Sequence, residues 1–263
     1  MRLIIVGPGK AGGSMALAAV RAGHEIVGVV SNSGEDRFGP PLNWDDSFPE
    51  ADITLIAVRD SAIEKVASDL AESGPTYAVA AHLSGFVPVT ALSILMERGV
   101  SIGGLHPLQT LPDPELGAES LAGAYAGIEG DVLATDALTH LAESMAMRTF
   151  HLRDEHRPAY HAAAAAAANF VVTSLATSAD LFASADVDPN VVRPLVDQIV
   201  SNVFAGEPSN VLTGPIARGD LETVIGHLTA AHEVSEEVGA QFRLLAEATA
   251  IRAGRREEMR LWS

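Results

Sequence analysis

The chain opens on a short β-branched apolar run, Arg2 to Val6, that stops at Gly7. A run of this kind bounded by glycine predicts a buried strand. Ser14–Ala22 is rich in Ala and Leu and predicts a helix closed by Gly23. Further strands are expected at Glu25–Val30, Asp52–Val58, Thr76–Ala81, Val100–Leu105, Ala124–Ile128 and Met147–Leu152, with a helix over Ser61–Ser73. Asn32–Trp44, with its Gly, Pro, Ser and charges, reads as a surface loop. Strands alternating with helices through short connections predict a parallel sheet covered on both faces.

From Asp154 onward the period-2 signal fades. Glu155–Phe182 is one long helical pattern containing the alanine block Ala162–Ala168, and Pro189–Ala205, Leu221–His232 and Val234–Arg256 predict three more helices. The block reads either as plain helix propensity or as close packing of helix backbones. The expected architecture is α/β: an N-terminal doubly wound sheet over residues 1–153, then an all-helical domain over 154–263.

Composition narrows the function. The chain has 263 residues, 48% of them hydrophobic, which is enough for a sizeable core. A net charge of −17 repels phosphate backbones, so no nucleic-acid partner is expected. The absence of cysteine removes disulfides, thiolate metal sites and a Cys nucleophile. His151, His156 and His161 are spaced by five, which spreads them around a helix, so no metal site is expected. The longest apolar run, near Ala162–Val172, is shorter than the ~20 residues of a spanning helix. No membrane partner is expected, and the reading is of a cytoplasmic protein.

The strongest motif is Gly7-Pro8-Gly9-Lys10-Ala11-Gly12, a G-x-G-x-x-G between a strand and a helix. Gly7 permits the tight turn, Gly9 lets the backbone approach a pyrophosphate, and Gly12 lets helix and sheet pack closely. The helix start supplies amides and positive potential. In this context the motif predicts dinucleotide binding by the first domain, against a glycine turn that serves only helix–strand packing. An NAD site expects an acid at the tip of the second strand, but that strand ends Ser31-Asn32-Ser33. These side chains, with Arg37, suit a ribose 2′-phosphate, so NADP(H) is favoured over NAD(H). Glu35 and Asp36 lie close by and weaken the case, and Arg37 also reads as a solvated loop charge. Ala57, Val58 and Ser84 fall at or just past strand ends, on the edge where such sheets bind ligands.

Hydride transfer to a carbonyl needs a proton donor and groups that orient the substrate. His106, at a strand end before Pro107, is the first candidate, against a structural histidine; His82 ranks lower. His161 and Asn169 lie on the long helix, eight residues or roughly 12 Å apart, and could border one cleft. Arg218 could clamp a substrate carboxylate, with Thr213 beside it. Asp220 could hold that Arg or cap the next helix.

Gly7–Gly12, His82-Leu83-Ser84-Gly85, Gly104 to Thr110, Tyr160-His161-Ala162-Ala163 and Leu212 to Asp220 resemble the Rossmann-like and DUF2520 family over nearly the whole chain. The resemblance implies a two-domain reductase similar to 6-phosphogluconate dehydrogenase, with a homodimer through the helices. It also suggests ketopantoate as lead substrate. Relatives in the wider superfamily carry a Lys one turn before the Asn of this helix. Here Ala165 stands there, and the only lysines are Lys10 and Lys65. A histidine would have to replace it, and the Gly104-Leu105-His106-Pro107 segment resembles the His-Pro motif of prephenate dehydrogenases. The expected activity is reduction of a small 2-oxo acid by NADPH, with His106 giving the proton and Asn169, Thr213 and Arg218 binding substrate. A prephenate- or imino-acid-type dehydrogenase, a deazaflavin-linked NADP reductase and an NADP(H)-sensing protein remain as rivals.

Overall fold

A computed structural model describes residues 1–31, 37–206, 211–255 and 257. The chain divides into two compact units, Met1–Ala165 and Ala166–Ser263. The division falls twelve residues after the 153/154 boundary expected from composition, because the first turns of the long helix pack with the sheet domain.

The first unit holds an eight-stranded sheet in the order β3-β2-β1-β4-β5-β6-β7-β8. Its strands are β1 (Arg2–Val6), β2 (Glu25–Val30), β3 (Pro41–Leu42), β4 (Ala51–Ile56), β5 (Tyr77–His82), β6 (Ser101–Leu108), β7 (Tyr125–Gly130) and β8 (Arg148–His151). All neighbours pair parallel except β6 and β7, which run antiparallel. β3 lies inside the expected surface loop; two residues are too few for any alternation to show.

The helices of this unit are α1 (Lys10–Arg21), α2 (Ile63–Glu72), α3 (Ser93–Met96), α4 (Pro114–Ser120), α5 (Val132–Ser144) and α6 (Arg157–Ala165). Alternate residues of β1 bury on opposite faces, as the strand period requires. Leu3 and Ile5 pack with Met15, Ala19, Leu138 and Leu141 under α1 and α5. Ile4 and Val6 pack with Val66, Leu70 and Leu95 under α2 and α3.

The second unit starts with a π-helical turn, Ala166–Phe170, that runs into α7 (Val171–Ser184). After it come α8 (Arg193–Ala205), α9 (Gly214–Arg218), α10 (Leu221–Val234) and α11 (Glu236–Arg252). Val224, Leu228, Ala231, Val238, Ala246 and Ala250 form its buried apolar set. Thr177 is buried on α7, donating to the Gln241 side chain at 2.9 Å. The helical stretch Asp154–Ser184 spans 31 residues with mean hydropathy 1.4, so by length and composition it could cross a membrane. The count of uninterrupted apolar residues in the sequence missed this because Asn169, Thr173 and Ser174 break the run without making the helix polar.

Candidate active site

β1 hands over to α1 through the glycine loop. Gly7 takes φ +89°, and a Cβ there would sit 2.8 Å from the Ala57 carbonyl oxygen. Gly12 is buried, and a Cβ on it would overlap the Gly7 carbonyl oxygen and come 2.9 Å from Ala57 Cβ. Gly9 is different: among the described residues, a Cβ there would meet nothing within 4 Å. Two glycines therefore permit packing and the third faces open space, as a cradle for a ligand requires. Gly9 is the N-cap of α1 and has no side chain to cap with, so the first-turn amides and the helix dipole face the loop.

The loop borders a cleft of about 560 Å³. Gly7, Gly9, Ser31, Ala57 and Val58 line it, with Trp44, Arg59, Lys65 and Asp69. Lys10, Ala11 and Gly12 belong to the first turn of α1 next to it. Asn32 and Ser33 lie outside the described residues. Arg37 does not line the cleft: its guanidinium pairs with Glu115 of α4 and stands 5.1 Å over the Phe38 ring. The basic side chains in the cleft wall are instead Arg59 and Lys65, and Lys65 bonds Asp69 at 2.7 Å.

A second constellation forms where β5, β6 and α6 meet. Register pairs His82 with Gly104, so His106 extends two residues beyond on the neighbouring strand. His106 is half-buried, and its Nδ1 lies 2.7 Å from the Tyr160 hydroxyl. The His161 ring stands 6.1 Å from the His106 ring and equally far from Phe86. Gly85 lies flat against the imidazole; a Cβ there would come 2.8 Å from Nε2 and 2.9 Å from Cδ2 and Cε1. The Ser84 hydroxyl accepts from the amides of Phe86 and Val87 at 3.1 and 2.9 Å, which fixes this turn.

Below His106 sits Arg157, with 0% of its surface exposed. Its Nε donates to Asp154 Oδ1 at 2.6 Å and its Nη1 to the Ser84 carbonyl at 2.9 Å. The other Asp154 oxygen accepts from the Val89 amide at 2.9 Å. His82 is equally buried, and neither of its ring nitrogens reaches a partner at full hydrogen-bond geometry.

These surroundings set the charges. Burial, then the charges of His161 and Arg157, push His106 down to about 4 against the opposing pull of Asp60. Burial and then Arg157 push His82 down to about 4, outweighing the Pro88 carbonyl and Asp154. Burial pushes the Tyr160 phenol up to about 12. At neutral pH the centre is thus a neutral imidazole bonded to a protonated phenol. A neutral His106 offers a single imidazole N–H, so the expected proton donor would act here as a hydrogen-bond donor.

Residues 1–107 match the family model of the Rossmann-like domain. Residues 124–249 match DUF2520, a domain of unknown function. The chain pairs a Rossmann-like domain with a DUF2520 domain. No curated protein matches the sequence. Among solved structures, a candidate NADP oxidoreductase from Bacteroides fragilis is 23% identical with TM-score 0.81, covering 95% of this chain and 98% of its own. An imine reductase from Myxococcus stipitatus in complex with NADP+ is 12% identical with TM-score 0.67, covering 99% and 95%. A pyrroline carboxylate reductase from Plasmodium falciparum with NADP bound is 11% identical with TM-score 0.65, covering 96% and 98%. At these identities the likeness is one of fold.

The DUF2520 match includes the remaining predicted residues. Asn169 is exposed in the π-helical turn, and its carbonyl accepts from Thr173 at 3.1 Å. Thr213 and Arg218 are exposed at the two ends of α9. Asp220 caps α10, accepting from the Thr223 amide at 3.3 Å and hydroxyl at 2.9 Å. Those bonds, followed by Arg218, hold its carboxyl below the usual range. Sequence reasoning did not single out Arg157 or Asp154, and it met Tyr160 only within a family motif. The Asp154–Arg157 spacing of i, i+3 at a helix start was the available signal.

Proposed function

We propose that this protein is an NADP(H)-dependent oxidoreductase that exchanges a hydride with a small C=O or C=N compound beside His106. The observation that carries the reading is the joint presence, on one sheet edge, of an open glycine-loop cleft and the His106–Tyr160 pair. The Gly7–Gly12 loop and the α1 start would hold the pyrophosphate, and Ser31 a ribose hydroxyl. Arg59 would take the 2′-phosphate in place of Arg37, which Glu115 engages. When bound, the nicotinamide supplies or takes the hydride.

The chain's own residues do the rest. In this reading the Tyr160 hydroxyl, 2.7 Å from Nδ1 of His106, donates to it, the tautomer that leaves the imidazole proton on Nε2. Gly85, with no side chain, leaves room for one face of the ring. The Nε2–H then hydrogen-bonds the oxygen of a carbonyl as negative charge develops on it, and water completes the protonation. The lead 2-oxo acid is ketopantoate, reduced to pantoate. The neutral state of His106 favours a second reading, an imino substrate. An iminium arrives already protonated and needs the hydride alone.

The helical unit would serve assembly. Phe170, Val172, Leu195 and Phe204 are 61–89% exposed on α7, α8 and the preceding turn. Apolar surface on this scale suits burial against a second copy in a cytoplasmic homodimer. The test of function is oxidation of NADPH and NADH at 340 nm with ketopantoate, other 2-oxo acids and cyclic imines. Turnover supports the reading and picks the bond reduced. Tight NADPH binding without turnover would favour a sensing role instead.

A further inference from the structure

The guanidinium of Arg157 is buried and does not line the glycine-loop cleft, yet it holds both the Ser84 turn and the start of α6, the two elements against the His106 ring. Burying a cation costs several kcal/mol unless its partners are well placed, so such a group is kept for geometry more often than for stability. Three of its features bear on His106. Its Nη1 bond to the Ser84 carbonyl at 2.9 Å draws down the turn whose next residue, Gly85, lies against the imidazole face. Its Nε bond to Asp154 at 2.6 Å ties that turn to the start of α6, and Asp154 also holds the Val89 amide. Tyr160, three residues later and so on the same helix face, bonds His106 Nδ1 at 2.7 Å. One helical turn therefore grips His106 from two sides, and Arg157 links the grips.

Its third group, Nη2, has no partner among the described residues and points at Gly104, where a Cβ would come within 2.7 Å. His82 Cε1 lies 3.2 Å from the same point. The guanidinium thus packs on the sheet face over the His82–Gly104 pair of β5 and β6.

We infer that Arg157 is the positioning residue of this centre: through Asp154, Ser84 and the helical turn bearing Tyr160, it fixes the orientation and tautomer of His106. The inference rests on the reading of His106 as the group that meets substrate, but its test does not require turnover. The groups acting on His106 are Arg157 and His161 from α6, His82 from β5 and Asp60 from the turn before α2.

The experiment compares wild type, Arg157→Lys, Arg157→Met and Tyr160→Phe, with histidine ring nitrogens labelled and followed by NMR against pH. Wild type is expected to show a single His106 tautomer protonated at Nε2. In Arg157→Met the imidazole should lose that fixed tautomer and titrate at higher pH, since a buried positive neighbour is gone. Arg157→Lys keeps charge but cannot bridge Asp154 and Ser84 at once, so its titration should stay near wild type while its tautomer becomes mixed. It also keeps the test open if the Met variant does not fold. With a substrate in hand, kcat should fall about 10²-fold in Arg157→Lys, with KM and the NADPH dissociation constant within about twofold. An unchanged tautomer in both Arg157 variants would overturn the inference. Absence of turnover in wild type would instead count against the proposed activity and leave the NMR comparison decisive for Arg157.

Discussion

Gly85 is the position where a single methyl group asks most of this site. A Cβ built on it lies 2.8 Å from His106 Nε2 and 2.9 Å from two ring carbons, about half an ångström inside ordinary contact. Something must move. The imidazole could swing away, but that breaks its 2.7 Å bond to Tyr160 and strands a half-buried hydroxyl, at about 1–3 kcal/mol. The turn could move instead, but Ser84 is held by Arg157 and by its own amide bonds. Either route costs about 1–3 kcal/mol, as overpacking generally does. At about 2–4 °C per kcal/mol for a chain near this size, Gly85→Ala should lower Tm by several degrees. The functional loss should be larger. The methyl overlaps the ring face and forces the imidazole or the turn to move, so the Nε2–H loses its aim and kcat/KM should fall about 10²-fold. NADPH affinity should not change, because Gly85 does not line the nucleotide cleft. The assay is steady-state oxidation of NADPH beside a fluorescence titration and a thermal melt. Full activity in Gly85→Ala would refute the claim that the exact placement of the His106 ring governs the reaction.

Other outcomes follow from the same geometry. His82 and His106 both ionise near 4 when folded and near 6.5 when unfolded, so the unfolded chain binds more protons between those values. Stability should therefore be fully present above about pH 6.5 and decline by a few kcal/mol toward pH 4; urea melts across that window should lose the slope in part in His82→Gln. Arg59→Ala should weaken NADPH binding about tenfold while leaving NADH nearly unchanged, and Arg37→Ala should change neither by more than about twofold; the reverse result would return the 2′-phosphate to Arg37. Val172→Glu and Phe204→Glu should shift the proposed homodimer to monomer in sedimentation velocity, with a lower Tm as the stabilisation from assembly is lost.

Much of this architecture was legible in the sequence because its signals are local. The glycine loop reads correctly, since each of its three glycines answers to a separate backbone requirement. Six further strands and the helical second half follow from period and propensity. What escaped depends on contacts distant in sequence. The antiparallel pairing of β6 and β7 leaves no trace in the alternation of either strand. α4 and α5 went unnoticed although Asp113 and Asp131 cap them and Pro114 follows the first. These are start signals without a strong apolar stripe. At the site, His106 was found from an expected strand end at Leu105, although β6 runs on to Leu108 and pairs His106 with Gly127. Its charge state was not, because that is set by burial and by Arg157, which is 51 residues away. Arg37 illustrates the opposite error: a cation near a phosphate-binding tip is plausible on spacing alone until Glu115 takes it.

The central claim is that hydride transfer takes place beside His106 on a nucleotide held by the glycine loop. The most direct test is His106→Ala, read as single-turnover decay of NADPH absorbance at 340 nm on the best substrate, with NADPH affinity measured in parallel. The account predicts a rate lower by about 10²–10⁴-fold with the dissociation constant nearly intact. A wild-type rate in the variant would contradict it.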